Sequence, residues 1–354
     1  MIIKNICLNN FRNLKQIYIE PHQNMNILCG ENAQGKTNLI EAIWLFTGAK
    51  SFRNSKENEM ISFDCKKTEI EINFISEGIE KTAKIIIDDK KNLFLNDKKI
   101  KSASEFAGNF NAIVFSPTDL SLIIDGPAIR RRFLDVAIGQ LYPRYIEILK
   151  NYNRAVMQRN NILKDCYKDA SLKFLLDDYE EVIINCGEKI INYRKKYIEQ
   201  IKKTAPKIYE GISQKKEILD IEYICSSDGK GLREKLKILR NEDIYKGVTS
   251  VGPHRDDIVF KINSINCRDF GSQGQKRSVA LALKLSEAEI IKEITGEQPI
   301  ALLDDVMSEL DKSRQDYILN HIDGWQVFIT CCETGHFENL NEGKIFTVKN
   351  GEIF

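Results

Sequence analysis

The stretch "GENAQGKT", from Gly30 to Thr37, decides the fold of this 354-residue chain. It matches the pattern G-x-x-x-x-G-K-[ST] in full. It follows the apolar run "MNILCG" (Met25 to Gly30) and precedes apolar positions at helical spacing between Leu39 and Phe46. The sequence therefore predicts a strand, a glycine-rich loop and a helix, which is the local structure that this motif requires.

A loop of this kind binds the phosphate groups of a nucleotide. Gly30 and Gly35 let backbone N–H groups point at phosphate oxygens, Lys36 supplies positive charge, and Thr37 offers a hydroxyl to Mg²⁺. A chance glycine turn with an exposed lysine would not explain a complete match in this context. The predicted nucleotide-binding residues of the loop are Gly30, Glu31, Asn32, Ala33, Gln34, Gly35, Lys36 and Thr37, of which Lys36 is also predicted to be catalytic.

A second motif, "PIALLDDVMSELD" from Pro299 to Asp311, runs from an apolar strand into two carboxylates. A site that holds Mg²⁺ and polarises a water beside the γ-phosphate needs such a pair. We expect Asp304 to bind the metal and Asp305 to orient or deprotonate the attacking water. The alternative is that both residues only end a strand and start a turn, but the phosphate loop makes this interpretation the weaker one.

A second glycine-containing loop, "GSQGQKRS" from Gly271 to Ser278, opens an apolar-striped helix that reaches Ile291. The unpaired N–H groups at a helix N-terminus, together with a serine and a glycine, can form a further anion site. The plainer interpretation is an N-capped helix and nothing more.

The remaining pattern divides the chain into three segments. Alternation between Thr68 and Ile100 predicts an antiparallel β-meander, and residues 116 to about 214 are amphipathic and helical. Strand signals return at residues 217–225, 257–264, 299–305 and 325–332. We therefore predict an α/β fold. Residues 1–115 and 217–354 form the two parts of a P-loop ATPase lobe with an antiparallel β subdomain, and residues 116–216 form an inserted, mainly helical lobe.

Composition sets further limits. With 42% hydrophobic and 29% charged residues the chain has the composition of an ordinary globular protein, and no apolar run reaches the roughly 20 residues needed to span a bilayer. This predicts a cytoplasmic protein without a membrane partner. The nine cysteines show no C-x-x-C spacing, and the net charge of +1 means that any nucleic-acid surface must be local.

The order of these motifs resembles that of the ATP-binding-cassette (ABC) ATPases, whose signature loop lies just upstream of an acidic strand. Further segments narrow the resemblance to the RecF family of bacterial recombination and repair ATPases, whose head is similar to that of SMC proteins. They are "LNNFRNL" (8–14), "FSPTDLSLIIDGPAIRRRFLD" (115–135), "GPHRDDI" (252–258), "GSQGQKRS" and "LLDDVMSELD". The resemblance covers essentially the whole chain.

This resemblance implies an ATP-dependent homodimer on DNA. It also implies slow, DNA-stimulated hydrolysis of ATP with Mg²⁺, and a role in recombinational repair, replication and the SOS response to DNA damage. The implied partners are double-stranded DNA, gapped DNA with single-strand junctions, and RecR and RecO, which help to load RecA. By motif position, Arg12 contacts the nucleotide, Ser272, Gly274 and Gln275 face the γ-phosphate held by the other subunit, and Asp311 lies at the dimer seam.

The DNA surface is the least specified part of this interpretation. Arg130, Arg131 and Arg132 are candidates for phosphate contacts, but they can equally pair with Asp119, Asp125 or Asp135. The lysines between Lys189 and Lys203 alternate with acidic residues, as in a solvated helix face. The γ-phosphate sensor remains unassigned, because Thr330 and Cys331 stand in the region where transport ATPases place a histidine, and His336 follows several residues later.

Two other functions compete with a DNA-binding ATPase. The energy subunit of a membrane transporter would need a switch histidine and a coupling surface, and neither is readable in the sequence. A small-molecule kinase would use the phosphate loop but has no use for the second glycine loop.

Overall fold

The computed structural model describes residues 1–166, 169–332 and 342–354. The strands in these ranges are β1 Ile2–Phe11, β2 Leu14–Ile19, β3 Met25–Cys29, β4 Thr68–Ser76, β5 Ile79–Ile87, β6 Lys91–Leu95, β7 Lys98–Ile100, β8 Ala112–Phe115, β9 Leu219–Ile224, β10 Asp257–Ile262, β11 Ile265–Asn266, β12 Ile300–Leu303, β13 Val327–Cys331, β14 Gly343–Lys349 and β15 Glu352–Ile353. The helices are α1 Lys36–Trp44, α2 Ala103–Phe106, α3 Ser121–Ile124, α4 Pro127–Leu141, α5 Pro143–Cys166, α6 Leu175–Ile212, α7 Gly231–Lys246, α8 Cys267–Phe270, α9 Gln273–Thr295 and α10 Lys312–His321. Within the described ranges, no helix combines the length and the apolar character needed to cross a membrane.

A six-stranded central sheet has the order β15-β14-β3-β13-β12-β8 and is parallel except for the edge strand β15. It joins strands from both ends of the chain, so that Cys29 on β3 lies beside Cys331 on β13, and Leu303 on β12 lies beside Ile329. The carboxyl ends of parallel strands meet at one edge, where ligands bind in sheets of this type. The phosphate loop after β3 and the acidic motif after β12 are therefore placed at the same edge.

A second six-stranded sheet is antiparallel throughout and has the order β2-β1-β4-β5-β6-β7. The predicted meander from Thr68 to Ile100 is confirmed as β4 to β7. The N-terminal strands β1 and β2 extend this sheet rather than the central one, which brings the end of β1 close to the phosphate loop.

Two hydrophobic cores hold the layers together, one on each face of the central sheet. On β12, Ile300 and Leu302 belong to the core shared with the antiparallel sheet, whereas Ala301 and Leu303 face the core shared with the helices. This alternation follows from the two-residue period of a strand that is buried on both faces. Helix α1 is buried almost all round, because its apolar residues belong to the same core as the antiparallel sheet and that face of the central sheet.

The inserted helical lobe is built from long helices, as the sequence predicts. Helices α5 and α6 pack against each other, and α6 ends at Ile212, close to the predicted end of the helical segment. Strands β9 and β10, also predicted, form a separate three-stranded sheet with β11, and they pack on α6 and α4 instead of joining the central sheet. The α/β architecture with an antiparallel subdomain and a helical insertion is therefore confirmed, while the boundaries at residues 115 and 216 stay a prediction.

A fully buried arginine connects three helices of this lobe. The guanidinium of Arg159 on α5 lies 2.7 Å from Asp243 on α7 and 2.8 Å from Glu180 on α6, and it donates to Thr249 Oγ1 at 2.9 Å. Arg159 and Asp243 have no exposed surface. Such a charge is tolerated in a protein interior only while its partners remain in place.

We expect Asp243→Asn to lower the free energy of unfolding by about 3 kcal/mol, because it leaves the buried Arg159 partly uncompensated. The midpoint of urea unfolding, followed by helical circular dichroism, measures this loss. Glu181→Gln is the matched control, since it breaks an exposed pair with Arg233 and should leave the midpoint nearly unchanged. Equal midpoints for the two variants would contradict the structural role of the Arg159 network.

Candidate functional site

The phosphate loop connects β3 to α1, and its two predicted glycines occupy positions that no other residue fits. A Cβ on Gly30 would lie 2.2 Å from the carbonyl oxygen of Val348 at the end of β14. Gly35 has φ +119°, and a Cβ there would approach Leu14 Cδ2 to 2.8 Å. Glycine is thus required at position 30 because another strand lies too close for a side chain. The motif alone does not indicate this contact.

Side chains outside the motif hold the loop in place. Asn13 Nδ2 donates to the carbonyl oxygen of Gln34 at 3.0 Å, and Asn13 Oδ1 accepts from Asn38 Nδ2 at 2.7 Å. Gln34 Oε1 accepts from the backbone N–H of Asn350 at 2.6 Å. Asn13 and Asn350 come from opposite ends of the chain, so the loop conformation depends on the tertiary fold.

Lys36 is buried and lies against its own loop. Its Nζ donates to the carbonyl oxygens of Gly30 and Glu31, the latter at 3.1 Å, and lies 3.7 Å from Cys332 Sγ. The ammonium group is therefore held over the loop, where the phosphate chain of a nucleotide would pass. Cys332 follows β13 directly, and sequence reasoning did not single it out.

The acidic motif meets the phosphate loop through one hydrogen bond. Thr37 Oγ1 donates to Asp304 Oδ1 at 2.8 Å, although the two residues are 267 positions apart. Asp304 is buried, and this burial raises the pKa of its carboxyl group against the opposing effect of the Thr37 hydrogen bond. The predicted pair of Mg²⁺ ligands, Thr37 and Asp304, is thus brought together.

These two oxygens fit a magnesium ion. A hydroxyl and a carboxylate are hard oxygen donors, and Mg²⁺ commonly takes one or two such groups together with substrate phosphates and water. In the described parts of the chain no group of three or more His, Cys, Asp or Glu side chains could hold a metal by itself. The donor set therefore suits a metal that arrives with a nucleotide rather than a permanent metal centre.

Thr330 on β13 orders both carboxylates of the acidic motif. Its Oγ1 lies 3.2 Å from Asp304 Oδ1 and 3.2 Å from Asp305 Oδ1, and it accepts from the backbone N–H of Asp305 at 2.8 Å. Asp305 adopts φ +51°, which is uncommon for a residue with a side chain, and it lines the cavity beside the phosphate loop. Thr330 therefore fixes the position of the residue that we expect to act on water.

The unassigned sensor region is resolved in part. Thr330 is buried beneath the acidic motif, and burial together with Cys29 raises the pKa of the Cys331 thiol to about 12, so that it stays protonated. His336 lies outside the described residues. Of the two described residues considered for this role, Thr330 and Cys331, Thr330 is the one with hydrogen bonds to the acidic pair.

Arg12 lines the cavity beside the phosphate loop, but it is paired with a buried carboxylate. Its guanidinium donates to both oxygens of Glu41 on α1, at 2.6 and 2.9 Å, and to Ser55 Oγ at 2.6 Å. Glu41 has no exposed surface and also accepts from the Ser51 hydroxyl. Sequence reasoning missed Glu41, because a glutamate in the middle of an amphipathic helix gives no sign that it is buried.

The cavity beside the phosphate loop has a volume of about 1080 Å³. Its walls are Arg12, Asn13, Asn32, Ala33, Gln34, Gly35, Lys36, Thr37, Asn38, Arg53, Asn58, Glu59, Ile61, Ser62, Phe63, Asp64, Cys65 and Asp305. The residues of the second glycine loop, Ser272 to Gln275, are all described, and none of them lines this cavity. The two glycine loops of one chain therefore do not share a site.

The second glycine loop forms an N-cap, as the plainer interpretation expected. Ser272 Oγ accepts from the backbone N–H of Gln275 at 3.2 Å, and Gln275 Oε1 accepts from that of Ser272 at 2.8 Å. Ser272 and Gln273 are nevertheless exposed at the start of the 23-residue helix α9. Capping its own helix and presenting N–H groups to another molecule are compatible uses of this loop.

Asp311 is exposed and caps helix α10. Its carboxylate accepts from the backbone N–H of Arg314 at 3.0 Å and pairs with the Arg314 guanidinium, which also donates to Ser278 Oγ on α9 at 2.9 Å. Arg314 thus connects the predicted seam residue to the second glycine loop. Their roles toward a second subunit stay predictions.

The arginine triplet requires a correction. Arg130 is buried, forms a two-point ion pair with Asp257 at 2.7 and 3.0 Å, and donates to the carbonyl oxygen of Asp125. Its guanidinium group is buried and paired with a carboxylate, so it is not available to DNA phosphates. The prediction of a DNA contact is therefore withdrawn for Arg130. Arg131 and Arg132 are half-buried and donate to backbone carbonyls of Asp256 and Ser51, and they stay predictions.

The motif "GPHRDD" (252–257) lies against the arginine triplet, where α4 packs on β10 and α6. We call this region the lobe junction. Arg194 on α6 donates to the carbonyl oxygen of Pro253 at 2.6 Å, and His254 Nδ1 lies 2.6 Å from Tyr152 Oη. Burial lowers the pKa of His254 to about 4, which keeps the imidazole neutral. These contacts give the motif a structural role in this chain.

Comparison with known proteins agrees with this geometry. The sequence profile described as "RecF/RecN/SMC N terminal domain" matches residues 2–353. The chain is 41% identical over 366 residues to the DNA replication and repair protein RecF of Clostridium acetobutylicum, covering 100% of this chain and 99% of that one. It is 40% identical over 362 residues to the protein of the same name from Clostridium kluyveri, with 100% and 99% covered.

Solved structures extend the comparison. The structure of the recombination mediator protein RecF with ATP, in the RecFOR pathway, superposes with a TM-score of 0.92 at 37% identity, covering 100% of this chain and 97% of that chain. An SMC head domain from Pyrococcus furiosus gives a TM-score of 0.57 at 17% identity over 99% of this chain and 95% of that one, which shows a shared fold alone.

We expect Thr330→Val to lower the free energy of unfolding by about 1–3 kcal/mol, because valine has the same shape but leaves the N–H of Asp305 without its partner. Thr330→Ser keeps the hydroxyl, so its free energy of unfolding should fall much less. Thermal unfolding in the absence of nucleotide measures both, and Thr347→Val on the exposed side of β14 is the matched control. If Thr330→Val were as stable as this control, the hydroxyl would have no ordering role.

Proposed function

We propose a function for this chain from the premise that it belongs to the RecF family. The proposal is an ATP-dependent DNA-binding protein of recombinational repair and replication that works in the cytoplasm. It dimerises on DNA with ATP, hydrolyses ATP slowly under stimulation by DNA, and helps RecO and RecR to load RecA at gapped DNA. This premise leaves no support for a transporter subunit or a small-molecule kinase.

One observation carries the proposal: the Lys36–Thr37 end of the phosphate loop and the Asp304–Asp305 pair form one site at the edge of the central sheet. Each group has the chemistry that phosphoryl transfer needs, since catalysis of this reaction rests on positioning and on stabilising charge. Magnesium, when bound with ATP, neutralises charge on the phosphates and polarises the bond to be broken.

The residues of the chain then take distinct tasks. The backbone N–H groups between Gly30 and Gly35 bind the phosphates, and the Lys36 ammonium neutralises their charge. Thr37 and Asp304 hold the metal. Asp305, fixed by Thr330, orients the attacking water and accepts its proton.

The exposed second glycine loop supports a shared site. In the proposed dimer, Ser272, Gly274 and Gln275 of each subunit face the γ-phosphate bound by the other, and Asp311 lies at the seam. The N–H groups at the start of α9 and its helix dipole would stabilise that phosphate. ATP then closes the dimer to the extent that it binds the closed state more tightly than the open one, and hydrolysis reopens it.

Contact with DNA is the least constrained step. Arg131 and Arg132 remain candidates at the lobe junction, and the proposed ligands are double-stranded DNA and single-strand junctions of gapped DNA. Because the net charge of the chain is only +1, binding must rely on a local surface and should weaken steeply with salt.

We expect Lys36→Arg to retain most of the ATP affinity but to lower the ATPase rate by roughly 100-fold, the usual effect of losing one transition-state donor. A planar fork cannot replace a point charge in the confined space over the loop. Steady-state ATPase assays and nucleotide titration separate the two effects, with Lys101→Arg on the exposed surface as control. A normal rate in Lys36→Arg would refute the phosphate-loop assignment.

We expect Asp305→Asn to accumulate as an ATP-bound dimer, because the amide cannot accept the proton of water and hydrolysis should fall by about 100-fold or more. Sedimentation or light scattering with Mg-ATP, with and without double-stranded DNA across a salt series, measures the mass. The exposed Asp323→Asn serves as control.

Under the proposal, the Asp305→Asn dimer also binds DNA with a steep salt dependence. A variant that binds ATP yet stays monomeric would contradict the shared site, and a dimer that ignores DNA would contradict the repair function.

A further inference from the structure

Three of the nine cysteines lie together where β3 and β13 reach the phosphate loop. Cys29 at the end of β3 is the direct neighbour of Cys331 on β13, and Cys332 follows β13 at once. Cys29 Sγ also donates to the carbonyl oxygen of Cys332 at 3.5 Å, across 303 positions of sequence. The roles assigned above make no use of these thiols.

The sulfur of Cys332 contacts the phosphate loop itself. Cys332 Sγ donates to Asn32 Oδ1 at 3.3 Å and lies 3.7 Å from Lys36 Nζ. Both partners line the cavity beside the phosphate loop, and Cys332 is exposed. Cysteines that react with oxidants are typically exposed and lie next to a lysine or another cation. Cys332 meets both conditions.

Cys29 is the thiol best placed to react with an oxidised Cys332. A redox-sensing cysteine commonly has a second thiol beside it, which attacks the oxidised sulfur as a thiolate. Cys331 is unsuited to this step, because its raised pKa of about 12 keeps it protonated. Cys29 is half-buried and already contacts the backbone of Cys332.

We propose that Cys332 is an oxidation site, at which a hydroperoxide and the neighbouring Cys29 convert two thiols into a disulfide, and that this disulfide opposes nucleotide binding. In the first step the Cys332 sulfur attacks the peroxide. The O–O bond breaks, an S–O bond forms, and the departing oxygen takes the thiol proton. The sulfur gives up two electrons, which reduce the hydroperoxide to an alcohol, or hydrogen peroxide to water. In the second step Cys29 attacks the Cys332 sulfenic acid, and an S–S bond replaces the S–O bond with release of water.

The link to the nucleotide rests on the proposed ATP-binding function. A phosphate chain bound over the loop beside Lys36 would cover Cys332 Sγ, so ATP should protect this thiol. Conversely, the disulfide would hold Cys332 Sγ at Cys29 and remove it from its contacts with Asn32 and Lys36. Effects between two linked sites are reciprocal, and such coupling typically changes affinity by about 5- to 150-fold. We therefore expect the oxidised protein to bind ATP more weakly by a factor in this range.

Peptide mass spectrometry tests the oxidation site without any nucleotide. Reduced full-length protein is treated with hydrogen peroxide, digested and mapped. We expect a disulfide between Cys29 and Cys332, formed with the loss of two hydrogen atoms and reversed by dithiothreitol. In Cys29→Ser, oxidation should stop at the sulfenic acid, which dimedone traps on Cys332.

Isothermal titration with Mg-ATP tests the link to the nucleotide. The ATP affinity of wild-type protein should fall by about 5- to 150-fold after peroxide treatment and return with dithiothreitol. Cys332→Ser should bind ATP with the same affinity before and after peroxide. Cys186→Ser, which removes a half-buried thiol from α6, is the matched control and should respond to peroxide as the wild-type protein does.

The outcomes separate this inference from the proposed function. Absence of the Cys29–Cys332 disulfide, or a disulfide that leaves ATP affinity unchanged, would overturn the inference while the ATPase proposal stands. Disulfides that involve the exposed Cys65 as often as Cys332 would show unselective oxidation and overturn it as well. If the reduced protein binds no ATP but still forms the disulfide, the proposed function fails together with the link to the nucleotide, and the oxidation site stands.

Discussion

The hydrogen bond from Thr37 to Asp304 is the contact on which the candidate site depends. It joins the first turn of α1 to the end of β12 across 267 positions of sequence, and it forms because β3, β13 and β12 are neighbours in one parallel sheet. Thr330 on the intervening strand β13 completes the arrangement by contacting both carboxylates. Any change that shifts one of these strands would separate Thr37 from the acidic pair.

A chain of polar contacts runs from this site toward the helical lobe. Arg12 at the cavity rim donates to the buried Glu41, Glu41 accepts from the Ser51 hydroxyl, and the Ser51 carbonyl accepts from Arg132 at 2.7 Å. Arg132 belongs to α4, which packs on β10 and α6 at the lobe junction. The cavity beside the phosphate loop and the helical lobe are thus linked by direct contacts.

The second glycine loop has a structural role within a single chain, and its proposed functional role uses the same residues. Ser272 and Gln275 satisfy each other's backbone groups and stabilise α9 in a single chain. The same loop is exposed, does not line the nucleotide cavity of its own chain, and is fastened to the Asp311 region through Arg314. In the proposed dimer, this surface would face the phosphates that are bound by the second subunit.

The sequence by itself determined the phosphate loop, the acidic pair, the meander and the helical insertion, because each is encoded by local spacing: a motif of eight residues, a strand that runs into carboxylates, or a hydrophobic period of two or about four. It also led to the family, through several such motifs in one order.

Only the tertiary structure decided the residues whose roles arise from distant partners. Glu41 has the pattern of an ordinary helix residue, and only the fold places it beside Arg12. Thr330 stands in the sensor region of the sequence, but only the fold shows that it contacts the acidic pair. The sequence leaves a DNA contact and an internal ion pair equally open for Arg130, and only the fold pairs it with Asp257, 127 positions later. Burial and pairing depend on how the layers pack against each other. A local sequence pattern does not show which distant residue will lie beside it.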